Sequence, residues 1–281
     1  MSVVPTRGRR RLICTLIYVS VFSLIPSRAL RAQEDAAPDS VSDPSASASP
    51  ASPSPSARPL RDVSLILLPT NFLRDQEHLL LFPRELAQGH HWTPTITLAS
   101  ATLGLLSADP HVQPYFAHTT AFRRFDRVFS SRITGMETIA VPVAFYAAGL
   151  DLHDSYMQKT ALFSFEAMAD TEVVRMFLNS VTQRWRPQDV FNRRTYSNTF
   201  FHSISRVGSS FPSGHTIVAV SVATVIARRY RSHRWVPWVA YGFAGTIALS
   251  RITLRAHFPS DVVLGTVLGY AIARYNVLQN Q

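Results

Sequence analysis

A serine, a glycine and a histidine follow one another where a polar loop meets an apolar run. Ser213, Gly214 and His215 end the loop, and the apolar run extends from Ile217 to Ala227, so we expect these three residues to form the first turn of a helix. The first backbone N–H groups of a helix have no intrahelical partner and the helix dipole is positive there, which favours an anion. A serine hydroxyl adds a hydrogen-bonding group, and an imidazole can exchange a proton near neutral pH. The pattern predicts a site for a phosphate group.

Two further groups of polar residues stand at the ends of apolar segments. Arg186 follows the third apolar segment, whereas Arg251, His257 and Asp261 lie between the fifth and the sixth. If successive helices alternate in direction, these ends share one side of a helical bundle with the start of the fourth segment. Arginine forks bind phosphate oxygens bidentately. An imidazole can be a nucleophile when another group fixes its tautomer, and Asp261, four residues after His257, is placed to do so.

The three stretches resemble the signature motifs of the type 2 phosphatidic acid phosphatase and vanadium haloperoxidase superfamily. Those motifs are a Lys-x6-Arg-Pro, a Pro-Ser-Gly-His and a Ser-Arg-x5-His-x3-Asp. The second is present at residues 212–215 and the third at residues 250–261, both without exception. In the first, Arg186 and Pro187 fit, but Asn179 stands where the superfamily has lysine. The resemblance covers approximately residues 140–275.

The resemblance implies a phosphatase that works through a phosphohistidine, without a metal or another cofactor. His257 would attack phosphorus while Asp261 holds its ring, and His215 would protonate the leaving oxygen. The phosphate oxygens would be held by two arginines and by the start of the fourth helix. These groups are Arg186, Arg251, Ser213 and the Gly214 amide.

Asparagine at position 179 removes a positive charge from a site that should bind an anion, and it can return only a neutral hydrogen bond. Arg175 lies one helical turn before Asn179, and Arg184 lies two residues before Arg186, so both are candidates to replace the lysine. We expect Arg184 to do so, because it is nearer to the convergent helix ends, and we include Asn179 and Arg184 among the predicted phosphate ligands. The missing lysine also allows a non-catalytic phosphate or phospholipid binder.

The elements that must position these residues are helical. Six apolar segments have helical length and show no sustained strand alternation, so the sequence predicts an all-α bundle of about six core helices. The segments are Thr95–Leu106, Met136–Leu150, Tyr156–Val181, Gly214–Tyr230, Trp235–Leu254 and Asp261–Val277. The preceding stretch, Asn71–Leu86, has the pattern of an amphipathic or interfacial helix. Most uninterrupted apolar runs are shorter than the ~18 residues that identify a membrane span with confidence.

The residues before the bundle predict two further regions. Arginines at positions 7, 9, 10 and 11 precede an apolar stretch, Leu12–Ile25, and small residues follow it, as in a secretory signal. We assign residues 1–32 to a signal peptide, with a retained anchor as the alternative. Residues 33–60 are rich in alanine, serine and proline and predict a disordered tether. Residues 61–281 form the predicted phosphatase-like helical domain.

The formal net charge of +10 suits a nucleic acid, an anionic membrane or a phosphorylated substrate. No nucleic-acid-binding motif is present, so we expect no nucleic acid, and we predict no protein partner. The only cysteine, Cys14, excludes an intramolecular disulfide and a cysteine metal site. A phosphorylated lipid or another phosphate ester is the expected substrate.

The location of the protein is predicted from its arginines. Arg228, Arg229, Arg231 and Arg234 lie in the connection between the fourth and fifth segments, which would be cytoplasmic in a membrane protein. The predicted site would then face the periplasm or exterior, at the inner membrane of a cell envelope. A soluble periplasmic or secreted acid phosphatase of the same superfamily is the alternative, and a haloperoxidase is a more distant one.

Overall fold

The computed structural model describes residues 61–190, 196–202 and 209–279, apart from the side chains of residues 131–133. The predicted signal segment (1–32) and tether (33–60) lie outside the described residues. Every regular element within the described residues is helical, which confirms the all-α prediction. In chain order the helices are α1 (Leu68–Ala87), α2 (Trp92–His118), α3 (Arg123–Val128), α4 (Ser131–Asp151), α5 (Ser155–Thr182), α6 (Gly214–Arg229), α7 (Val236–Thr253) and α8 (Pro259–Ala271). A 3-10 turn, Pro187–Asp189, follows α5, and a π-helical turn, Ile272–Val277, follows α8.

The six predicted core segments correspond to α2 and α4–α8, and the predicted interfacial stretch corresponds to α1. The first segment was predicted too short, because α2 continues through Pro110 and Pro114 to His118. Proline removes a helical hydrogen bond, so sequence alone favoured an earlier end. The short helix α3 was not predicted. Within the described ranges, no helix combines the length and the apolar character that a membrane crossing needs.

Helix α6 lies at the centre of the bundle and packs against α4, α5, α7 and α8. Its small and β-branched residues are buried around most of its circumference, as expected for a helix without a polar face. Helix α8 crosses it closely at two glycines. A Cβ on Gly269 would lie 2.4 Å from the carbonyl oxygen of Ile217, and one on Gly265 would lie 3.1 Å from that of Ser213. This close crossing brings Asp261, one turn before Gly265, against the start of α6.

A group of buried charges, here called the Arg61 cluster, joins α1 to α5. Its members are Arg61, Asp75, Glu166 and Asp170. The Arg61 guanidinium donates to both oxygens of Asp75 at 2.8 and 2.6 Å and to Glu166 at 3.1 Å. Amides complete the cluster, since Asn71 donates to Glu166, and Gln76 and Asn276 donate to Asp170. These contacts attach the first described residues to the core.

Candidate active site

The residues of the second and third motifs come together where α6 and α8 begin and α7 ends. Ser213, the residue before α6, donates its backbone N–H to the carbonyl of Asp261 at 3.1 Å. Ser213, Arg251, His257 and Asp261 are all buried. The predicted convergence of helix ends is therefore present in the structure. Gly208, at the edge of the predicted loop, lies outside the described residues.

His257 is oriented by a backbone carbonyl. Its Nδ1 lies 2.7 Å from the carbonyl oxygen of Ser210 but 3.9 Å from the nearest oxygen of Asp261. A carbonyl only accepts, so Nδ1 carries the proton in this hydrogen bond and Nε2 is the unprotonated ring atom. The prediction that Asp261 holds the ring directly is corrected, because the hydrogen bond goes to Ser210.

Asp261 acts on His257 through Ser210. One carboxylate oxygen of Asp261 accepts from the hydroxyl of Ser210 and, at 2.8 Å, from the backbone N–H of Phe258. These bonds fix Ser210 and the loop that carries His257. Burial raises the pKa of Asp261 to about 6, although the charge of Arg184 opposes this change.

Arg184 is enclosed by protein groups instead of being available to a ligand. Its guanidinium pairs with Asp261 and, at 2.7 Å, with Asp109, and the side chain also donates to Ser260 at 2.7 Å and to Thr199 at 3.0 Å. Its side chain is 1% exposed, and its positive charge is matched by two carboxylates. This geometry does not support the prediction that Arg184 replaces the motif lysine as a phosphate ligand. It makes Arg184 a positioning residue for Asp261.

Asn179 is also engaged by the protein. In the amide orientation that satisfies its neighbours, its nitrogen donates to the carbonyl of Phe211 and its oxygen accepts from Arg175. The prediction that Asn179 binds the substrate phosphate is therefore revised. The amide joins the last turns of α5 to the loop before α6.

Positive charge accumulates in the remaining part of the site. We call Arg175, Arg186, Arg251, His215 and His257 the cation cluster. Burial and then the charge of Arg186 lower the pKa of Arg251 to about 10, and the same two causes lower the pKa of His257 well below 6.5. His257 is therefore neutral at pH 7, as a nucleophile must be.

Arg186 has an unsatisfied nitrogen in the site. Its Nε is buried and has no hydrogen-bond partner among the described residues. Burial lowers the pKa of its guanidinium, while Asp189 and Asp261 oppose that change electrostatically. A buried guanidinium nitrogen without a partner is costly unless a ligand supplies an acceptor.

Arg251 and His215 lie against the start of α4. Arg251 Nη2 donates to the carbonyl of Phe129 at 2.7 Å and to the hydroxyl of Thr134 at 2.8 Å. A Cβ on Gly135 would lie 3.5 Å from Nε2 of His215. Helix α4 therefore forms one wall of the site.

Three residues around the site were missed from the sequence. Asp109 was overlooked because it lies beyond the predicted end of the first segment at Leu106, whereas α2 continues to His118. Ser210 and Thr134 carry no sequence signal, because serine and threonine are common in loops and helices of every kind.

Among the described residues, no three metal-ligating side chains form a group. The arrangement offers a neutral imidazole nucleophile beside several cations, which suits transfer of a phosphoryl group.

Comparisons with known proteins agree with the motifs. Residues 160–281 match the family described as the PAP2 superfamily, which confirms the resemblance over that part of the chain. The bacitracin transport permease protein BcrC of Bacillus licheniformis is 35% identical over 69 residues. That alignment covers 25% of this chain and 32% of the relative, so the chain spans about a third of the relative's length.

A solved structure is also similar. It is the crystal structure of a transmembrane PAP2 type phosphatidylglycerolphosphate phosphatase from Bacillus subtilis, with a TM-score of 0.41 and 19% sequence identity. The similarity covers 71% of this chain and 92% of that chain.

Proposed function

We propose, from the premise that residues 160–281 match the PAP2 superfamily, that this protein is a metal-independent phosphatase acting on phosphate or diphosphate esters of lipids. One observation carries the proposal. His257 donates from Nδ1 to the carbonyl of Ser210, which leaves the Nε2 lone pair as a nucleophile beside the charges of Arg186 and Arg251. A neutral imidazole among cations is the arrangement that phosphoryl transfer to histidine requires.

The reaction has two steps. In the first, Nε2 of His257 forms a bond to phosphorus, the bond from phosphorus to the leaving oxygen breaks, and His215 gives that oxygen a proton. In the second, water attacks the phosphorus of the phosphohistidine and His215 accepts a proton from that water. The bond between phosphorus and Nε2 breaks, which gives inorganic phosphate and free His257. Arg186, Arg251, the Ser213 hydroxyl and the first N–H groups of α6 stabilise the charge on the equatorial oxygens.

An apolar groove beside the site supports a lipid substrate. Residues of α4, α6 and α7 line this groove. Thr138, Ala219 and Ile247 lie at its near end, each one helical turn from a site residue (Thr134, His215 and Arg251, respectively). A hydrocarbon tail attached to the phosphate could occupy this groove.

Exposed apolar side chains support a location at a membrane. Leu73 and Leu80 on α1 are 67% and 79% exposed, and Trp238 on α7 is 82% exposed. Large exposed apolar residues on several helices are typical of surfaces that contact a membrane or a protein, and tryptophan is common at the lipid interface. We propose a cell-envelope enzyme whose site faces the periplasm or exterior.

The function can be tested with purified protein and four substrates: phosphatidic acid, phosphatidylglycerol phosphate, a polyprenyl diphosphate and a soluble aryl phosphate. We expect phosphate release that survives chelators and is blocked by vanadate. His257→Ala should abolish it, whereas His111→Ala, at an exposed histidine of α2, should not. A requirement for magnesium, or a His257→Ala variant that retains activity, would contradict the mechanism. Preference for the aryl phosphate would favour the soluble acid phosphatase.

The groove is tested separately. Val141→Trp should fill it from α4 and reduce kcat/KM for a lipid phosphate about 10-fold, because the lost contact with the tail is worth ~1.4 kcal/mol. Hydrolysis of the aryl phosphate, which has no tail, should change little. An equal loss for both substrates would mean that the groove does not bind the lipid.

A further inference from the structure

Arg175 lies directly against the start of α6. A Cβ on Gly214 would be 2.7 Å from Cδ and 3.3 Å from Nε of Arg175. The absence of a side chain at Gly214 thus lets this arginine approach the turn whose backbone N–H groups have no helical partner. No other glycine of the described residues has an arginine in that position.

The charge of Arg175 acts on the same site as Arg186. Burial lowers the pKa of Arg186, and the charge of Arg175 contributes to the same change. Arg186 has a buried Nε without a partner among the described residues. Two like charges held together in a partly buried space are stabilised by an anion between them.

Two side chains hold Arg175. A phosphate could replace one of them, Glu172, and leave the other, Asn179, in place. Asn179, one turn further along α5, accepts from Nη1 of Arg175. Glu172 accepts from Nε at 2.7 Å and also from Nη2. The Arg175 and Glu172 side chains are 23% and 42% exposed, and a partly exposed pair of this kind contributes little net stability.

We propose that Arg175 provides the phosphate-binding positive charge that the superfamily places on lysine at the position of Asn179. In this proposal Asn179 positions Arg175 instead of binding the substrate. Glu172 accepts the hydrogen bonds of the Arg175 guanidinium until a phosphate replaces the Glu172 carboxylate. The proposal rests on the proposed function for the identity of the anion. It names Arg175, and not Arg184, as the compensating residue, because the charge of Arg184 is already matched by Asp109 and Asp261.

The first test compares Arg175→Gln with Arg231→Gln. Arg231 is an exposed arginine beyond the far end of α6, which at 16 residues is about 24 Å long. Binding of inorganic phosphate is measured by calorimetry and inhibition by phosphate is measured in the assay. Arg175→Gln should weaken both about 10-fold or more, since a charge-assisted contact is lost, and Arg231→Gln should not. Unchanged phosphate affinity in Arg175→Gln would overturn the proposal.

The second test distinguishes phosphate binding from a structural role. Adding Asn179→Lys to Arg175→Gln should restore at least a third of the lost phosphate affinity, because the lysine returns a positive charge to the same turn. A merely structural role of Arg175 would not be rescued in this way, so an absence of rescue would overturn the proposal. Arg175→Lys should retain intermediate affinity.

A third variant, Glu172→Gln, tests the same proposal without changing Arg175, in case Arg175→Gln does not fold. Glu172→Gln removes the competing carboxylate and should tighten phosphate binding about 3-fold, whereas an equal or weaker affinity would contradict the exchange of Glu172 for phosphate. Calorimetry also separates this proposal from the function. Wild-type protein that binds phosphate through Arg175 but hydrolyses no substrate would refute the phosphatase and leave the role of Arg175 intact.

Discussion

Helix α5 contributes to two clusters of charged side chains, one with excess negative charge and one with excess positive charge. In the Arg61 cluster, three carboxylates lie near one guanidinium, which donates to Asp75 and Glu166, and side-chain amides donate to Glu166 and Asp170. Burial raises the pKa of Glu166 to about 7 and also raises that of Asp170, so protonation can remove the excess negative charge. The excess negative charge of the Arg61 cluster can therefore be removed without a ligand.

The cation cluster cannot lose its excess charge by protonation, although Glu172 pairs with Arg175. Arginine does not lose its proton at physiological pH, so the repulsion among Arg175, Arg186 and Arg251 persists. His257 avoids this repulsion, because burial and the charge of Arg186 keep its imidazole neutral. The comparison shows that the sign of the excess charge distinguishes the clusters: carboxylates can be neutralised by protons, whereas buried guanidinium groups need an anion.

The largest effect should come from removing Arg186, whose buried Nε has no hydrogen-bond partner among the described residues. Arg186→Gln should lower kcat/KM about 100-fold, a loss of ~2.7 kcal/mol in transition-state stabilisation. Because its buried Nε has no partner in the described chain, its loss should not lower the melting temperature. Steady-state kinetics and thermal unfolding of the same preparation measure both. A variant that unfolds earlier yet retains its activity would place Arg186 with the structural charges of the Arg61 cluster.

A smaller effect on activity is expected from Asp109→Asn, together with a change in its pH dependence. Asp109 shares Arg184 with Asp261, and its charge contributes to raising the pKa of Asp261. As pH falls through about 6, Asp261 gains a proton and its hold on Arg184 weakens, so kcat/KM should fall. Asp109→Asn should lower kcat/KM about 10-fold and move this decline to lower pH.

The control for that experiment is the same substrate with wild-type protein, because a phosphate ester also titrates near pH 6. Only the displacement between the two profiles is interpreted. If kcat/KM of Asp109→Asn declined at the same pH as that of the wild-type protein, Asp261 would not control the decline.

The smallest effect concerns stability. A carboxyl group whose pKa is higher in the folded state holds a proton that the unfolded chain releases, so stability decreases as pH rises through that interval. For Glu166 the interval runs from about 4.5 to about 7. The melting temperature should therefore fall as pH rises from 5 to 8, and Glu166→Gln should flatten this slope.

Asp151→Asn, at an exposed carboxylate where α4 ends, is the matched control and should leave the slope unchanged. A melting temperature that instead rises over this interval would show that the Arg61 cluster is fully ionised. The contrast between the two clusters would then not depend on protonation.

The sequence by itself determined the helical class and the order of the helices, and it named most of the candidate site residues. Apolar segments of helical length can bury their surface only as helices of a bundle, so α2 and α4–α8 were predictable, as was the convergence of their ends. Motif spacing named Ser213, His215, Arg251 and His257 as candidate site residues for a similarly local reason. Each lies within a turn of a helix end that the sequence already indicates.

Only the tertiary structure decided which charged groups contact one another. Sequence distance favoured Arg184 over Arg175 as the compensating cation, and it favoured a direct bond between His257 and Asp261. The structure instead matches the charge of Arg184 with Asp109, 75 residues earlier in the chain, and inserts Ser210 beside His257. The physical reason is that a buried guanidinium or carboxylate takes whichever partner lies within about 3 Å, and the packing of separate helices sets those distances.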